Sequence, residues 1–163
     1  MTSEAELRLH RCCFTGHRPE KLNRSESAVK AALREQINQA VHDGLTVFIT
    51  GMARGVDLWA AEIVLDLRKR NKKIKLICAI PHNGFEARWS PSWQQLYRYV
   101  LSEADLTRVI NKGYYTGAYQ VRNEWMVNHS ARVIAVFNGQ PSGTKNAIDY
   151  AHRQGVPVIQ IEG

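Results

Sequence analysis

Short apolar runs recur along the chain and are separated by segments with helical periodicity. The runs are rich in Val and Ile and do not alternate strictly with polar residues, so they predict strands that are buried on both faces of a sheet. The predicted strands cover residues 12–14, 46–49, 74–80, 106–110, 132–137 and 156–161.

The segments between these strands place apolar residues at the spacing of one helix face. Ser25 or Ser27 can cap the first predicted helix, Gly44 can end it, and Asp57 can cap the second. Because strand and helix alternate throughout, the predicted fold class is α/β, a Rossmann-like doubly wound, mostly parallel sheet flanked by helices. Three further helices are predicted over residues 92–103, 120–129 and 144–154.

The length of 163 residues predicts a single domain over residues 11–163, preceded by a loose tail over residues 1–10. The three cysteines lie in apolar runs without the paired spacing of a zinc site, so we expect reduced, buried thiols and a cytoplasmic protein. The sequence predicts neither a membrane span nor a signal peptide, and the six histidines lack ligand spacing, so we expect no membrane partner and no metal site.

The formal net charge of +7 and the pI of about 9.5 favour partners that carry phosphate, from a free nucleotide to nucleic acid. The densest basic run, residues 68–73, falls where a predicted helix ends. Cations at that end complement the helix dipole, so we interpret the run as a solvated helix terminus.

Three predicted strand–helix corners combine glycine with residues that can bind anions. They are FTGHRPEKL at residues 14–22, TGMARGVD at residues 50–57 and FNGQPSGTKNA at residues 137–147. In parallel sheets, ligands bind outside the carboxyl ends of the strands, where glycine lets the backbone approach and a helix N-terminus attracts phosphate. The corners therefore predict a cradle for phosphate and ribose, with a simple turn as the alternative role of each glycine.

The candidate ligand-binding residues in these corners are Thr15, Gly16, His17, Arg18, Gly51, Arg54, Gly55, Asp57, Gly139, Ser142, Gly143 and Thr144. Arg54 and the later Arg122 offer a guanidinium fork to phosphate, with a salt bridge as the alternative. Asp57 either binds a ribose hydroxyl or only caps its helix. Glu62, one turn further along, is expected to approach the same pocket, and Asn123 offers a neutral polar contact.

The glycine spacings differ from two well-known nucleotide motifs. GMARGV lacks the spacing of G-x-G-x-x-G, and GQPSGTK is not the G-x-x-x-x-G-K-[ST] of a P-loop. A dinucleotide dehydrogenase and a P-loop hydrolase are therefore disfavoured.

Aromatic residues crowd the second half of the chain, and we expect one of them to stack on a base. The others are assigned to the core or to the interface of a homo-oligomer, a dimer or higher. The candidates are Trp89, Trp93, Tyr114, Tyr115, Tyr119 and Trp125.

Several segments resemble one superfamily. TGMARGVDLWAAEIVL resembles the S-G-x-A-R-G-[IV]-D segment of the DprA family, and RNEWMVNHSARVIAVFNGQPSGT is similar to a later stretch of DprA and of the LOG phosphoribohydrolases. These families belong to the SLOG superfamily. The T-G-H-R-P motif, the FEARWSPSWQQLYRYVLSEAD segment and the pattern Y-x-x-R-N-x-x-M-V resemble its YpsA-like family most, from about residue 14 to the end of the chain.

This resemblance implies a SLOG-type Rossmann-like domain that binds a nucleotide-type ligand, ADP-ribose or an NAD-derived molecule. It implies a sensing or regulatory role, with no required cofactor, and suggested links of its relatives to bacterial cell division. Nucleic acid is a less favoured partner than a small nucleotide.

Two alternatives also follow from the resemblance. The catalytic glutamate of a LOG enzyme would fall at Ala147, and a lone Arg122 cannot supply acid–base chemistry, so hydrolysis of an N-glycosidic bond would need Glu62, Glu124 or Asp57 instead. Single-stranded DNA binding is the DprA-like alternative, although DprA usually carries extra domains.

Overall fold

The structure is a computed structural model that describes residues 2–163. Its strands are β1 (Arg11–Gly16), β2 (Val47–Thr50), β3 (Lys75–Ile80), β4 (Leu106–Val109), β5 (Arg132–Phe137) and β6 (Val158–Glu162). Its helices are α1 (Glu4–Arg8), α2 (Glu26–His42), α3 (Val56–Arg68), α4 (Pro91–Glu103), α5 (Ala118–Asn128) and α6 (Gly143–Arg153), and a 3-10 turn covers Pro19–Lys21.

The six strands form one parallel sheet in the order β4-β3-β2-β1-β5-β6. The chain builds outward from β1 to β4 on one side, and then crosses to the other side of β1 for β5 and β6. This confirms the predicted Rossmann-like α/β fold. The order of the strands reverses between β1 and β5, and such a reversal opens a crevice at the carboxyl ends of the two strands.

Apolar residues cover both faces of the central strands. Phe14 and Phe48 point to one face and stack with ring centroids 5.9 Å apart, in a core that includes residues of α2, α3 and α4. Cys13 and Ile49 point to the opposite face, where they pack with residues of α5 and α6. The three cysteines are free and buried, and burial raises the pKa of Cys13 to about 12.

The expectation that every strand is buried on both faces is wrong for β4, whose four residues are all exposed. β4 is an edge strand with β3 as its neighbour in the sheet. Leu106 and Val109 therefore remain 43% and 44% exposed.

The helix starts show which capping predictions hold. Ser25 caps α2, because its Oγ accepts a hydrogen bond from the Ala28 N–H at 3.2 Å. Asp57 does not cap α3, and that prediction is wrong. Gly55 takes the N-cap position with a φ of +87°, and the Asp57 carboxylate accepts a hydrogen bond from the Ala53 N–H at 3.2 Å. A positive φ is accessible to glycine without steric strain, so the chain can turn into α3 there.

The N-terminal segment, for which we predicted a loose tail, contains α1. Ser3 and Glu6 form a capping box at its start. Arg8 Nε donates to the Ser130 carbonyl at 3.0 Å, which ties the helix to the loop before β5. Met1, the first residue of the predicted tail, lies outside the described residues. None of the helices within residues 2–163 is long and apolar enough to cross a bilayer.

Candidate functional site

A cleft of about 470 Å³ opens at the carboxyl edge of the sheet, at the reversal between β1 and β5. It brings together residues of all three glycine corners and of α5. The predicted residues that line it are Thr15, Gly16, His17, Arg18, Arg54, Asp57, Arg122, Asn123, Ser142, Gly143 and Thr144. Trp89 and Tyr119, predicted only as members of a larger aromatic set, also line it. So do Lys21 and Ala53, which lie in the first two corners but were not candidate residues, and Phe85.

The other predicted residues lie outside this lining. Gly139 is exposed in the loop after β5, where its φ of +87° serves a turn. The expectation that Glu62 approaches the pocket is wrong, because Glu62 lines a separate groove of about 240 Å³ with Lys30 and Trp59. Glu62 follows Asp57 by five residues, which at about 100° per residue rotates it roughly 140° around α3.

Gly51 forms the floor of the cleft rather than its lining. A Cβ atom at this position would lie 2.7 Å from Asp57 Oδ2 and 2.9 Å from Arg122 Cζ. Since real Cβ atoms do not approach other atoms so closely, glycine is required here to let both charged groups meet the backbone. The Gly51 carbonyl accepts a hydrogen bond from Arg122 Nη1.

Arg122 reaches this floor from α5 and is 5% exposed. Its Nε donates to Asn123 Oδ1 at 3.0 Å, and its Nη1 also lies 3.4 Å from the Ala79 carbonyl. The guanidinium carbon stands 5.7 Å from the centroid of the Phe85 ring. Burial lowers the pKa of Arg122, but an arginine side chain starts so far above neutrality that it remains charged.

Asp57 is the acidic group of the cleft floor and is 5% exposed. Burial raises the pKa of its carboxyl to about 6, against the opposing effect of the nearby Arg122 charge. Its Oδ2 accepts the Ala53 N–H, whereas its Oδ1 is buried without a hydrogen-bond partner among the described residues. A buried carboxyl with an unfilled hydrogen-bonding position and a pKa near neutrality is the kind of group found at functional sites.

His17 closes the cleft at the β1 corner. Its ring stacks on Phe137 with centroids 5.7 Å apart, and its Nε2 accepts a hydrogen bond from the Asn138 N–H at 3.0 Å. An accepting Nε2 carries no proton, and burial lowers the pKa of the ring. The imidazole is therefore neutral with its proton on Nδ1, as a hydrogen-bond donor.

The N-terminus of α6 lies beside His17. Ser142 caps this helix, because its Oγ accepts the Lys145 N–H at 3.1 Å. The N–H groups of the first helical residues, Gly143 and Thr144, have no carbonyl partner inside the helix. Together with the helix dipole, these N–H groups suit a phosphate oxygen.

The β1 and β2 corners are packed together. A Cβ atom at Gly55 would lie 2.9 Å from Pro19 Cδ, and Arg54 Nη2 pairs with Glu20 Oε1 at 3.0 Å. Gly55 thus allows the close contact between the two corners, and Arg54 lines the cleft while it is paired with Glu20.

Aromatic side chains form the wall on the β3 side. Phe85 and Trp89 come from the loop after β3 and meet edge to face at 5.0 Å. Tyr119 of α5 meets Phe85 at 5.5 Å. The FEARW segment could have indicated this wall, since Gly84 precedes it and α4 begins two residues after Trp89. Among residues 2–163, no three His, Cys, Asp or Glu side chains are grouped as a metal site requires.

These features define a parallel α/β domain with a polar and aromatic cleft at its topological switch point. A model of the YspA SLOG family matches residues 12–160, and the chain belongs to this family.

Relatives of the chain include proteins of two bacteria. It is 28% identical over 150 residues to the UPF0398 protein of Bacillus thuringiensis (strain Al Hakam), covering 86% of this chain and 82% of the relative. It is 26% identical over 144 residues to the UPF0398 protein of Ligilactobacillus salivarius (strain UCC118), covering 83% and 78%.

Two solved structures share the fold. DNA processing protein A (DprA) of Streptococcus pneumoniae matches with a TM-score of 0.66 and 19% identity, over 96% of this chain but only 52% of that chain. DprA of Helicobacter pylori, whose structure was described for its single-stranded DNA binding mode, matches with a TM-score of 0.68 and 17% identity, over 98% and 68%.

Proposed function

We propose that this protein binds a nucleotide-type ligand, ADP-ribose or an NAD-derived molecule, in the cleft and serves as a sensor or regulator. The observation that carries the proposal is the order of side-chain chemistry along the sheet edge. The aromatic wall stands over β3, the Asp57–Arg122 floor over β2, and the α6 N-terminus with its neighbouring cations over β1 and β5. A base, a ribose and a phosphate group require the same three environments in the same order.

The span of the cleft supports a ligand of this size. Adjacent strands lie about 4.8 Å apart, so the three spacings from β3 to β5 measure roughly 14 Å. The volume of about 470 Å³ falls inside the usual range of small-molecule sites, about 300 to 1,000 Å³. Both quantities suit a nucleotide better than a single phosphate ion.

The charges of the cleft favour phosphate at the β1–β5 end. Arg18 and Lys21 line this end and are exposed. They can move toward an incoming anion, whereas the Arg122 guanidinium is already bonded to the backbone. The unfilled Asp57 Oδ1 supports a role in binding a hydroxyl hydrogen of the ligand.

The experiment is a thermal-denaturation series with ADP-ribose, AMP and NAD at millimolar concentration. A ligand that binds only the folded state raises the melting temperature by mass action. Arg18→Gln should reduce the shift, and Arg34→Gln, which removes the same charge from an exposed position on α2, should not. No shift with any of the three compounds would contradict the proposal.

Hydrolysis of an N-glycosidic bond is a second candidate, favoured by Asp57. Ala147 is buried, Glu62 lies in the other groove, and Glu124 accepts a hydrogen bond from Gln120 Nε2. Asp57 alone of these positions lines the cleft, and its pKa near 6 suits a general base for a water that attacks the ribose C1′. The C1′–N bond would break, and adenine would leave with the bonding electrons and the proton that Asp57 took from the water. The cationic nicotinamide of NAD would leave as the neutral base, and that proton would pass to solvent.

Chromatography of AMP, ADP-ribose and NAD incubations separates binding from hydrolysis. Free adenine or nicotinamide that appears with the protein and disappears with Asp57→Asn would establish the hydrolase. Intact compounds together with a raised melting temperature would leave the sensor as the function.

Single-stranded DNA is a less favoured partner. Arg68 ends α3 at the edge of the sheet opposite the cleft, and it is paired with Asp105 at 2.9 Å. The basic run and the cleft therefore do not form one continuous groove. We predict weak oligonucleotide binding that is lost near 150 mM salt, on the order of physiological ionic strength, beside nucleotide binding that changes far less. Tight, salt-resistant binding that requires Arg54 would favour DNA instead.

The expected homo-oligomer also remains a proposal. Leu106 and Val109 of the edge strand β4 and Val121 of α5 are exposed apolar residues. Light scattering on the purified protein tests this expectation, and a monomer at high concentration would contradict it.

A further inference from the structure

Arg54 lines the cleft and already has an anionic partner within the chain. Its Nη2 lies 3.0 Å from Glu20 Oε1, and the side chains are 24% and 51% exposed. Glu20 thus holds the position at Arg54 that an oxygen of a bound phosphate would take.

The backbone fixes Glu20 at this place. The residue lies in the 3-10 turn over Pro19–Lys21, which the Leu22 N–H closes on the Pro19 carbonyl at 3.2 Å. Pro19 in turn packs against Gly55, the residue after Arg54. Hydrogen bonds from its own backbone and from Arg54 lower the pKa of Glu20, so its carboxylate is charged at neutral pH.

We propose that Glu20 is an internal competitor for the ligand phosphate, which it must release before Arg54 can bind that phosphate. The inference rests on the proposed function, since it requires a phosphate-bearing ligand in the cleft. The competition weakens the binding of every such ligand and leaves an uncharged nucleoside unaffected. Because of this competition, the other cations and the α6 N-terminus must contribute more of the affinity for phosphate.

The first experiment compares ADP-ribose and adenosine by titration calorimetry at low salt. Glu20→Gln removes the competing charge at an exposed position. ADP-ribose should then bind up to about fivefold more tightly, because Arg54 no longer has to give up an exposed ion pair before it binds the phosphate. The affinity for adenosine should change by less than about twofold. Glu20→Gln should keep the melting temperature of the wild type.

The matched control is Glu26→Gln. Glu26 is an exposed glutamate at the start of α2, paired with Lys30 at 2.8 Å rather than with a cleft residue. This variant has the same net charge as Glu20→Gln, so an equal gain in ADP-ribose affinity would show a general charge effect and overturn the inference.

A double-mutant cycle tests whether the effect passes through Arg54. In an Arg54→Gln background, Glu20→Gln should change ADP-ribose affinity by less than about twofold, because the two residues act on the same phosphate. An undiminished gain would overturn the inference. If ADP-ribose binds the wild type and Glu20→Gln leaves its affinity unchanged, the inference about Glu20 is overturned and the proposed function stands. If ADP-ribose binds neither the wild type nor any variant, the inference and the proposed function are both overturned.

Discussion

Replacing Asp57 with asparagine should stabilise the protein at neutral pH and change how its stability depends on pH. The carboxyl is 5% exposed, its Oδ1 is without a hydrogen-bond partner among the described residues, and burial raises its pKa to about 6. Ionising such a group costs free energy in the folded state, and the same ionisation carries no such cost in the solvated unfolded chain.

The sign and size of the effect follow from the two pKa values. The unfolded chain releases the Asp57 proton near pH 3.9, and the folded protein releases it near pH 6. Because the folded state binds the proton more tightly over this interval, the contribution of Asp57 to stability falls as pH rises from about 4 to about 6, and is constant above. The total loss is roughly 3 kcal/mol, or about 6–12 °C in melting temperature for a protein of this size.

The assay is urea unfolding of the wild type and Asp57→Asn at several pH values from about 4 to about 7. This range includes the interval between the pKa of Asp57 in the unfolded chain and its pKa in the folded protein. The difference in free energy of unfolding, variant minus wild type, should increase by up to about 3 kcal/mol as the pH rises across this interval. A steric cost of the amide would shift the whole curve without changing that gain. Asp66→Asn, at an exposed position on the same helix, is the control. Parallel curves for Asp57→Asn and the wild type would refute the reasoning.

Three further substitutions test the cleft. Gly51→Ala should destabilise the fold by about 1–3 kcal/mol and abolish the thermal shift with ADP-ribose, because the added Cβ meets the Asp57 carboxylate and the Arg122 guanidinium; an unchanged melting temperature would contradict this. Gly55→Ala should cost about 1–2 kcal/mol in urea unfolding, since an L-residue at its φ of +87° is strained; a stabilised variant would refute that account. Ser142→Ala should cost about 1 kcal/mol through loss of the α6 cap and weaken ADP-ribose binding; unchanged stability would show that the cap is dispensable.

The arrangement of helices and strands could be predicted because its causes are local. Apolar runs such as residues 132–137 are strands in the structure with the same bounds, and Ser25 starts α2 as a cap. The exposure of β4 could not be predicted in this way. Leu106 and Val109 are typical strand residues, and their exposure follows from the place of β4 at the edge of the sheet.

Some residues of the cleft could be predicted from local features of the sequence, and others could not. Residues such as Thr15, Asp57 and Thr144 could be grouped from the sequence, because parallel strands bring all their carboxyl ends to one edge. Phe85 could not, since it lies in the loop after β3, whose path depends on packing rather than on a local motif. Lys21 lies in the first corner but was not among the candidate residues. The prediction for Glu62 fails for a different reason. Glu62 is close to Asp57 along the axis of α3, but the rotation of the helix turns its side chain toward the other groove.

Arg122 lines the cleft, as expected, but its guanidinium makes different contacts from those expected. The sequence suggested a guanidinium fork free to bind phosphate, whereas Nη1 and Nε already donate to Gly51, Ala79 and Asn123. A buried charge needs such partners, because an uncompensated one is strongly destabilising. The same bonds fix the positive charge beneath Asp57 and partly offset the cost of its ionisation. Arg122 is therefore best understood as a fixed part of the floor, so the proposed phosphate binding depends on the exposed Arg18 and Lys21 and on the N–H groups of α6.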